Sequence, residues 1–215
     1  MELDHIVIRT PNRSALLTDL THRFGLAALR GFTLNGVTYS EGVRFSNSQF
    51  IDVFDHPSEK PKFEPLLAFK GDIAHIETIA AKHGWSARTH FRTEFPKESR
   101  PPWSTLSFRR GQGLISSIFF IEYEENLSAW TAGPYNGDLY DRHLSPDIAT
   151  ELKAAKYYTV DLSKAQAQLR ALSEEPVPLL ELHSAEGSDP GLKSILIQKQ
   201  GVAASEWSHA AFDSA

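Results

Sequence analysis

An apolar strand pattern followed at once by a helix start and an amphipathic helix recurs along this chain near residues 3, 64 and 156. Spacing of roughly 60–90 residues marks duplicated modules rather than a short-period solenoid. Each module then owns a sheet with one face covered by its helix and one face left over. Two such sheets joined edge to edge make a curved surface that can hold a ligand.

The first module reads as strand, helix and three strands. Its opening strand, Leu3 to Arg9, ends at Thr10-Pro11-Asn12, and the spacing predicts a helix over Arg13 to Phe24 with Leu16, Leu17, Leu20 and Phe24 on one face and Gly25 as its cap. Strands are expected over Ala27 to Phe32, Val37 to Phe45 and Gln49 to Phe54, separated by the turn compositions Asn35-Gly36 and Ser46-Asn47-Ser48. The second module repeats the order: strand Phe63 to Lys70, N-cap Asp72, helix Ile73 to His83, and strands over Trp85 to Phe91, Ser104 to Arg109 and Leu114 to Tyr123. The proline-containing stretch Arg92 to Trp103 is read as a long surface loop. Residues 126–155 read as a connector. A partial third βαββ module over 156–200 has its helix at Leu162 to Leu172, and residues 201–215 read as a loose tail. The expected fold is therefore α+β: paired βαβββ modules (1–55 and 63–125) forming a curved mixed-sheet cup, with the third module extending the sheet.

Composition narrows the function classes. The chain has 215 residues, 41% hydrophobic and 23% charged, which suits a soluble globular protein with a sizeable core. A net charge of -5 with no basic run argues against nucleic acid, and no apolar run approaches a membrane span. With no cysteine, disulfides, thiolate metal sites and a cysteine nucleophile are excluded. The start lacks a signal-peptide pattern, so a cytoplasmic location is expected. The expected partner is a small-molecule ligand, neither nucleic acid nor membrane, and a homodimer is left open.

Strand alternation selects the residues that could carry chemistry. Ile6 and Ile8 suit the helix side of the first strand, which leaves His5 for the open cup. Asp52, between Ile51 and Val53, points with His5. Glu122 shares its face with Ile118 and Phe120 in a strand apolar on both sides, and it is placed in the same cup as the candidate catalytic residue. An imidazole with two carboxylates suits a divalent metal such as Zn, Ni, Fe, Mn or Co, and without metal it suits acid–base work with an orienting carboxylate. Phe45, Trp103 and Phe120 are the candidate apolar lining for a substrate. No nucleophile elbow, P-loop, Rossmann fingerprint or H-E-x-x-H sequence is present.

The segments LDHIVIRTPN, GVRFSNSQFIDVF and SIFFIEYEE resemble the vicinal oxygen chelate superfamily, and within it the glyoxalase-like domains, over about residues 1–125 and more loosely over 155–198. The resemblance implies paired βαβββ modules around a metal-containing cup whose ligands come from the first and last strands of each module. His5 would match the first-strand histidine, Asp52 a position sometimes held by glutamate, and Glu122 the last-strand glutamate. The second module's first strand offers Leu66 or Ala68 where many members carry a histidine. The implied function is binding of a small organic molecule, as a metal-dependent lyase, isomerase or dioxygenase. The alternative is a non-catalytic binding or sequestering protein of the resistance type.

Overall fold

The computed structural model describes residues 1–29, 33–34, 37–55, 66–96, 100–124, 149–186 and 190–208. Strand β1 (Glu2–Thr10) stops where Pro11 would break a ladder, and α1 (Arg13–Phe24) starts under the Asn12 side chain, which accepts from the Ala15 amide. Gly25, at a left-handed φ of 67°, closes the helix by donating its N–H to the Thr21 carbonyl. Strands β2 (Ala27–Leu29), β3 (Thr33–Leu34), β4 (Val37–Thr38), β5 (Ser40–Arg44) and β6 (Phe50–Asp55) complete the first module. The second runs β7 (Leu66–Lys70), α2 (Ile73–Lys82), β8 (Ala87–His90), β9 (Trp103–Phe108) and β10 (Ile118–Tyr123). The Asn35-Gly36 turn, residues 63–65 of the expected second-module strand and the body of the connector lie outside the described residues.

These strands form one eight-stranded sheet in the order β2-β5-β6-β1-β7-β10-β9-β8, with β3 and β4 as a separate small ribbon. In each module the first strand lies parallel to the last, β1 beside β6 and β7 beside β10. The two first strands pair antiparallel with each other. The modules thus join edge to edge at β1 and β7, as the repeated pattern predicts. Helix α1 packs on β5 and β6, and α2 on β8, β9 and β10. The side chains between them and the sheet, Ile6, Ile8, Ile51, Leu67, Phe69 and Phe120, are at most 1% exposed. Burial of each such side chain is worth about 1.5–3 kcal/mol, so this helix side holds the fold together.

The third unit departs from the expected extension of the sheet. Strands β11 (Thr150–Thr159), β12 (Leu180–Ser184), β13 (Gly191–Lys199) and β14 (Ser205–Ser208) form their own sheet in the order β12-β11-β13-β14, with α3 (Leu162–Leu172) between β11 and β12. Its first strand lies parallel to the strand directly after the helix, so its topology differs from the other two modules. It gains a strand, β14, from the segment that composition assigns to a tail, because Trp207 is an apolar anchor 3% exposed whose Nε1–H donates to Asp19 of α1 at 3.1 Å. Further bonds run from Thr150 Oγ1 to the Phe24 carbonyl (3.0 Å) and from Gln168 Nε2 to the Gln112 carbonyl (2.6 Å). Ser117 and Tyr157 share a hydroxyl–hydroxyl bond at 3.1 Å. One continuous core includes side chains of α1, α2 and α3 and of both large sheets. The third unit therefore packs against α1 and the segment before β10, on the helix side of the eight-stranded sheet.

Candidate functional site

The face of the eight-stranded sheet away from α1 and α2 carries the row Arg44, Phe50, His5, Ala68, Phe119 and Ser107, read across the paired strands. Lateral partners in a sheet point the same way, so these side chains share one surface. His5 is 5% exposed. Its ring stacks on Phe50 (centroids 4.4 Å apart, planes at 19°) and meets Phe119 edge-on at 5.5 Å. Two phenyl groups thus fix the plane of the imidazole.

The decisive local feature is a β-bulge. On β1, Leu3 pairs with Phe69 of β7 and His5 with the adjacent Ala68, which leaves Asp4 as an extra residue in the ladder. A bulge turns two successive side chains toward the same side. Asp4, 6% exposed, consequently reaches the His5 ring, with Oδ2 at 2.6 Å from Nδ1. The same oxygen accepts the Tyr123 hydroxyl at 2.7 Å, and Lys70 Nζ stands 3.7 Å from Oδ1. Periodicity does not single out Asp4, because strict alternation sends it to the opposite face from His5. The signal that bears on it is the pair of ionisable residues, Asp4 and His5, side by side in an otherwise apolar strand.

An Asp4 carboxylate on Nδ1 stabilises the tautomer with the proton on that nitrogen and leaves the Nε2 lone pair as an acceptor. Nε2 has no hydrogen-bond partner among the described residues. The arrangement can accept a proton or a hydrogen bond from a ligand group, with Asp4 stabilising the imidazolium that would form.

The other sequence candidates divide between the two faces. Asp52, 7% exposed, pairs with Val7 and with Gly42, so it stands on the His5 face, one rung along. Trp103 pairs with Tyr123 and shares that face at the far end of β9. Glu122 does not join them. It lies on the helix side, where its Oε2 accepts the Ile73 amide at 3.0 Å at the start of α2, a position favoured by the helix dipole. Phe120 and Phe45 are core side chains, at most 1% exposed, rather than cup lining. The physical reason is a parity reversal in β10. Both of its faces are apolar, and the one toward His5 carries Phe119, Ile121 and Tyr123. His90, on β8, pairs with Thr105 on the His5 side, while His56 and His143 lie outside the described residues.

A resident divalent ion needs several ligands converging on one point. Among the described residues no group of three or more His, Asp or Glu side chains is placed to hold one. His5 offers one nitrogen, position 68 is alanine, and Glu122 caps a helix, so the donor set expected at residues 5, 52 and 122 does not assemble.

No family model matches the chain, and no curated protein does. Among solved structures it is similar to a hypothetical protein from Staphylococcus aureus, with a TM-score of 0.60 and 11% identity over 94% of this chain and 92% of that one. It is also similar to a catechol 2,3-dioxygenase (TM-score 0.49, 10% identity, 80% of this chain and 55% of that one). Homoprotocatechuate 2,3-dioxygenase from Arthrobacter globiformis gives a TM-score of 0.45 at 12% identity, over 79% of this chain and 48% of that one. The chain aligns with about half the length of these dioxygenases. At such identities the likeness to the Staphylococcus aureus protein is one of fold. Among the described residues, no helix is long and apolar enough to cross a membrane.

Proposed function

We propose that this protein binds a small organic molecule on the His5 face of the eight-stranded sheet, with His5 Nε2 as the polar contact and Phe50 and Phe119 as apolar walls. The observation that carries this reading is the β1 bulge, which sets Asp4 and His5 on one face with Nδ1 engaged and Nε2 without a hydrogen-bond partner among the described residues. A nearly buried imidazole held by a carboxylate and two rings is a costly arrangement for packing alone, since buried polar atoms must be fully partnered to break even. The chemistry that fits is proton transfer: Nε2 takes a proton from an acidic C–H or O–H of the ligand, the electron pair stays on the ligand, and Asp4 stabilises the resulting imidazolium.

The test is a screen of small planar organic compounds by protein NMR, comparing wild type with His5→Ala. Compounds that perturb His5 and Phe119 in the wild type and lose affinity in the variant are expected. A screen in which every binder is indifferent to the variant sinks the reading. Exchange of ligand C–H for deuterium in D2O, dependent on His5, is the catalytic outcome. Binding without exchange is the sequestering outcome, the form without turnover.

A further inference from the structure

We infer that Gln49 is a positioning residue for the Asp4–His5 pair, and that the turn carrying it links the third unit to the site; the inference rests on the reading of His5 given above. Gln49 immediately precedes β6, whose first residue Phe50 pairs with His5 and stacks on its ring. The Gln49 side chain is 7% exposed, and its Nε2 donates at 3.3 Å to the carbonyl of Leu3, the residue before the bulged Asp4. The β1–β6 pairing begins at His5 and Phe50, so the Leu3 carbonyl lies before its start, and there a side-chain amide supplies its bond. Released from Gln49, the β1 backbone loses a restraint that keeps Asp4 turned onto the His5 face.

The same amide is otherwise a poor choice for its place. Gln49 Oε1 is buried without a hydrogen-bond partner among the described residues. Methionine fills nearly the same volume and would remove that unsatisfied acceptor, so packing alone favours an apolar residue. What glutamine adds is the donor to Leu3.

Gln49 is in turn fixed from outside the first module. Its carbonyl accepts the Phe45 amide at 2.9 Å, closing the turn over Ser46-Asn47-Ser48, in which Ser48 adopts a positive φ of 75°. The turn is clamped by β11. The Ser46 amide donates to the Thr150 carbonyl at 2.8 Å, and the Asn47 side chain bonds both the carbonyl (2.8 Å) and the amide (3.2 Å) of Leu152. A continuous series of bonds thus runs from β11 through Asn47 and Gln49 to the bulge and His5. This gives the third unit a part in setting the site although it lies over the opposite face of the sheet.

The test reads the imidazole directly in the full chain and needs no ligand. Nitrogen–proton correlation spectra report the His5 tautomer, its signals being those missing from His5→Ala. Wild type is expected to show the proton fixed on Nδ1. Gln49→Met is expected to show averaged tautomers and a roughly tenfold loss of affinity for a His5-dependent compound, with a melting temperature within a few degrees of wild type, because the lost Leu3 bond and the removed Oε1 offset each other. An unchanged His5 spectrum in Gln49→Met overturns the inference, and so does a lowered melting temperature with that spectrum unchanged, which would assign Gln49 to packing. If Gln49→Met does not fold, Asn47→Ala decides: a shift toward averaged tautomers upholds the inference and an unchanged spectrum overturns it. Because the tautomer is read without ligand, failure of the binding proposal and failure of this one are separate results.

Discussion

Asp4 Oδ2 and His5 Nδ1 are 2.6 Å apart on the same face of β1, although adjacent residues of a regular strand point to opposite faces. One extra residue in the β1–β7 ladder makes the contact. Its consequence is that Nδ1 is engaged by a carboxylate, while Nε2 has no hydrogen-bond partner among the described residues.

Asp4→Asn tests that relationship with little change in shape. An amide can present either its oxygen or its NH2 group to Nδ1, so the tautomer is no longer dictated. The bonds to Tyr123 and His5 lose their charged acceptor. Affinity for a His5-dependent ligand is expected to fall about tenfold, the equivalent of one hydrogen bond at about 1.4 kcal/mol, with the fold retained. Calorimetric titration beside a far-UV spectrum checks both halves, and undiminished affinity would remove Asp4 from the site.

Glu122 is expected to matter for stability and not for binding. Its carboxylate accepts the Ile73 amide, while Asp72 takes the His75 amide, so two first-turn donors of α2 depend on side chains. Glu122→Ala should cost about 0.5–1 kcal/mol, a drop of a few degrees in melting temperature, and leave ligand affinity at His5 unchanged. Lost affinity at an unchanged melting temperature would return Glu122 to the functional face.

The contrast between Asp4 and Glu122 shows what was legible in the sequence. Helices α1 and α3 run over the residues that periodicity predicts, and Asn12, Gly25 and Asp161 cap them locally. The paired modules follow from the repeat. His5 and Asp52 share one face, opposite Ile6, Ile8, Ile51 and Val53, as strand alternation predicts. In β10, Phe119 and Phe120 are both large and apolar, so alternation has no sign and the parity reverses for Glu122 and Phe120 together. A bulge is invisible to periodicity, since it depends on the register with β7. The third unit's separate sheet is set by long-range contacts such as that between Trp207 and Asp19.

Gly42 occupies a place on the His5 face where no side chain fits. A Cβ built there would stand 2.4 Å from the Ile51 carbonyl oxygen and 3.6 Å from the Asp52 Cα. The contact is with backbone, so β5 and β6 must separate to relieve it. Gly42→Ala is expected to lower stability by about 1–3 kcal/mol, read as a shift in urea midpoint at constant slope. A neutral result would mean that β5 moves freely against Asp52.

Tyr157 gives a prediction for alkaline pH. Its side chain is buried at the junction of the third unit with Ser117, and burial pushes the phenol above its ordinary value, with the Ser117 bond pulling the other way. The folded state therefore holds this proton more tightly than the unfolded chain does. The associated stability is fully present below the unfolded value of about 10 and is lost as the pH rises through the folded value. Tyr157→Phe keeps the ring and removes the titration. At neutral pH it should be about 1 kcal/mol less stable for want of the Ser117 bond. Between about pH 9 and 11 the wild type should lose stability more steeply than the variant, and the two urea-midpoint curves should converge. Parallel curves would mean that the Tyr157 proton is held no more tightly in the folded chain, and that some other group governs alkaline unfolding.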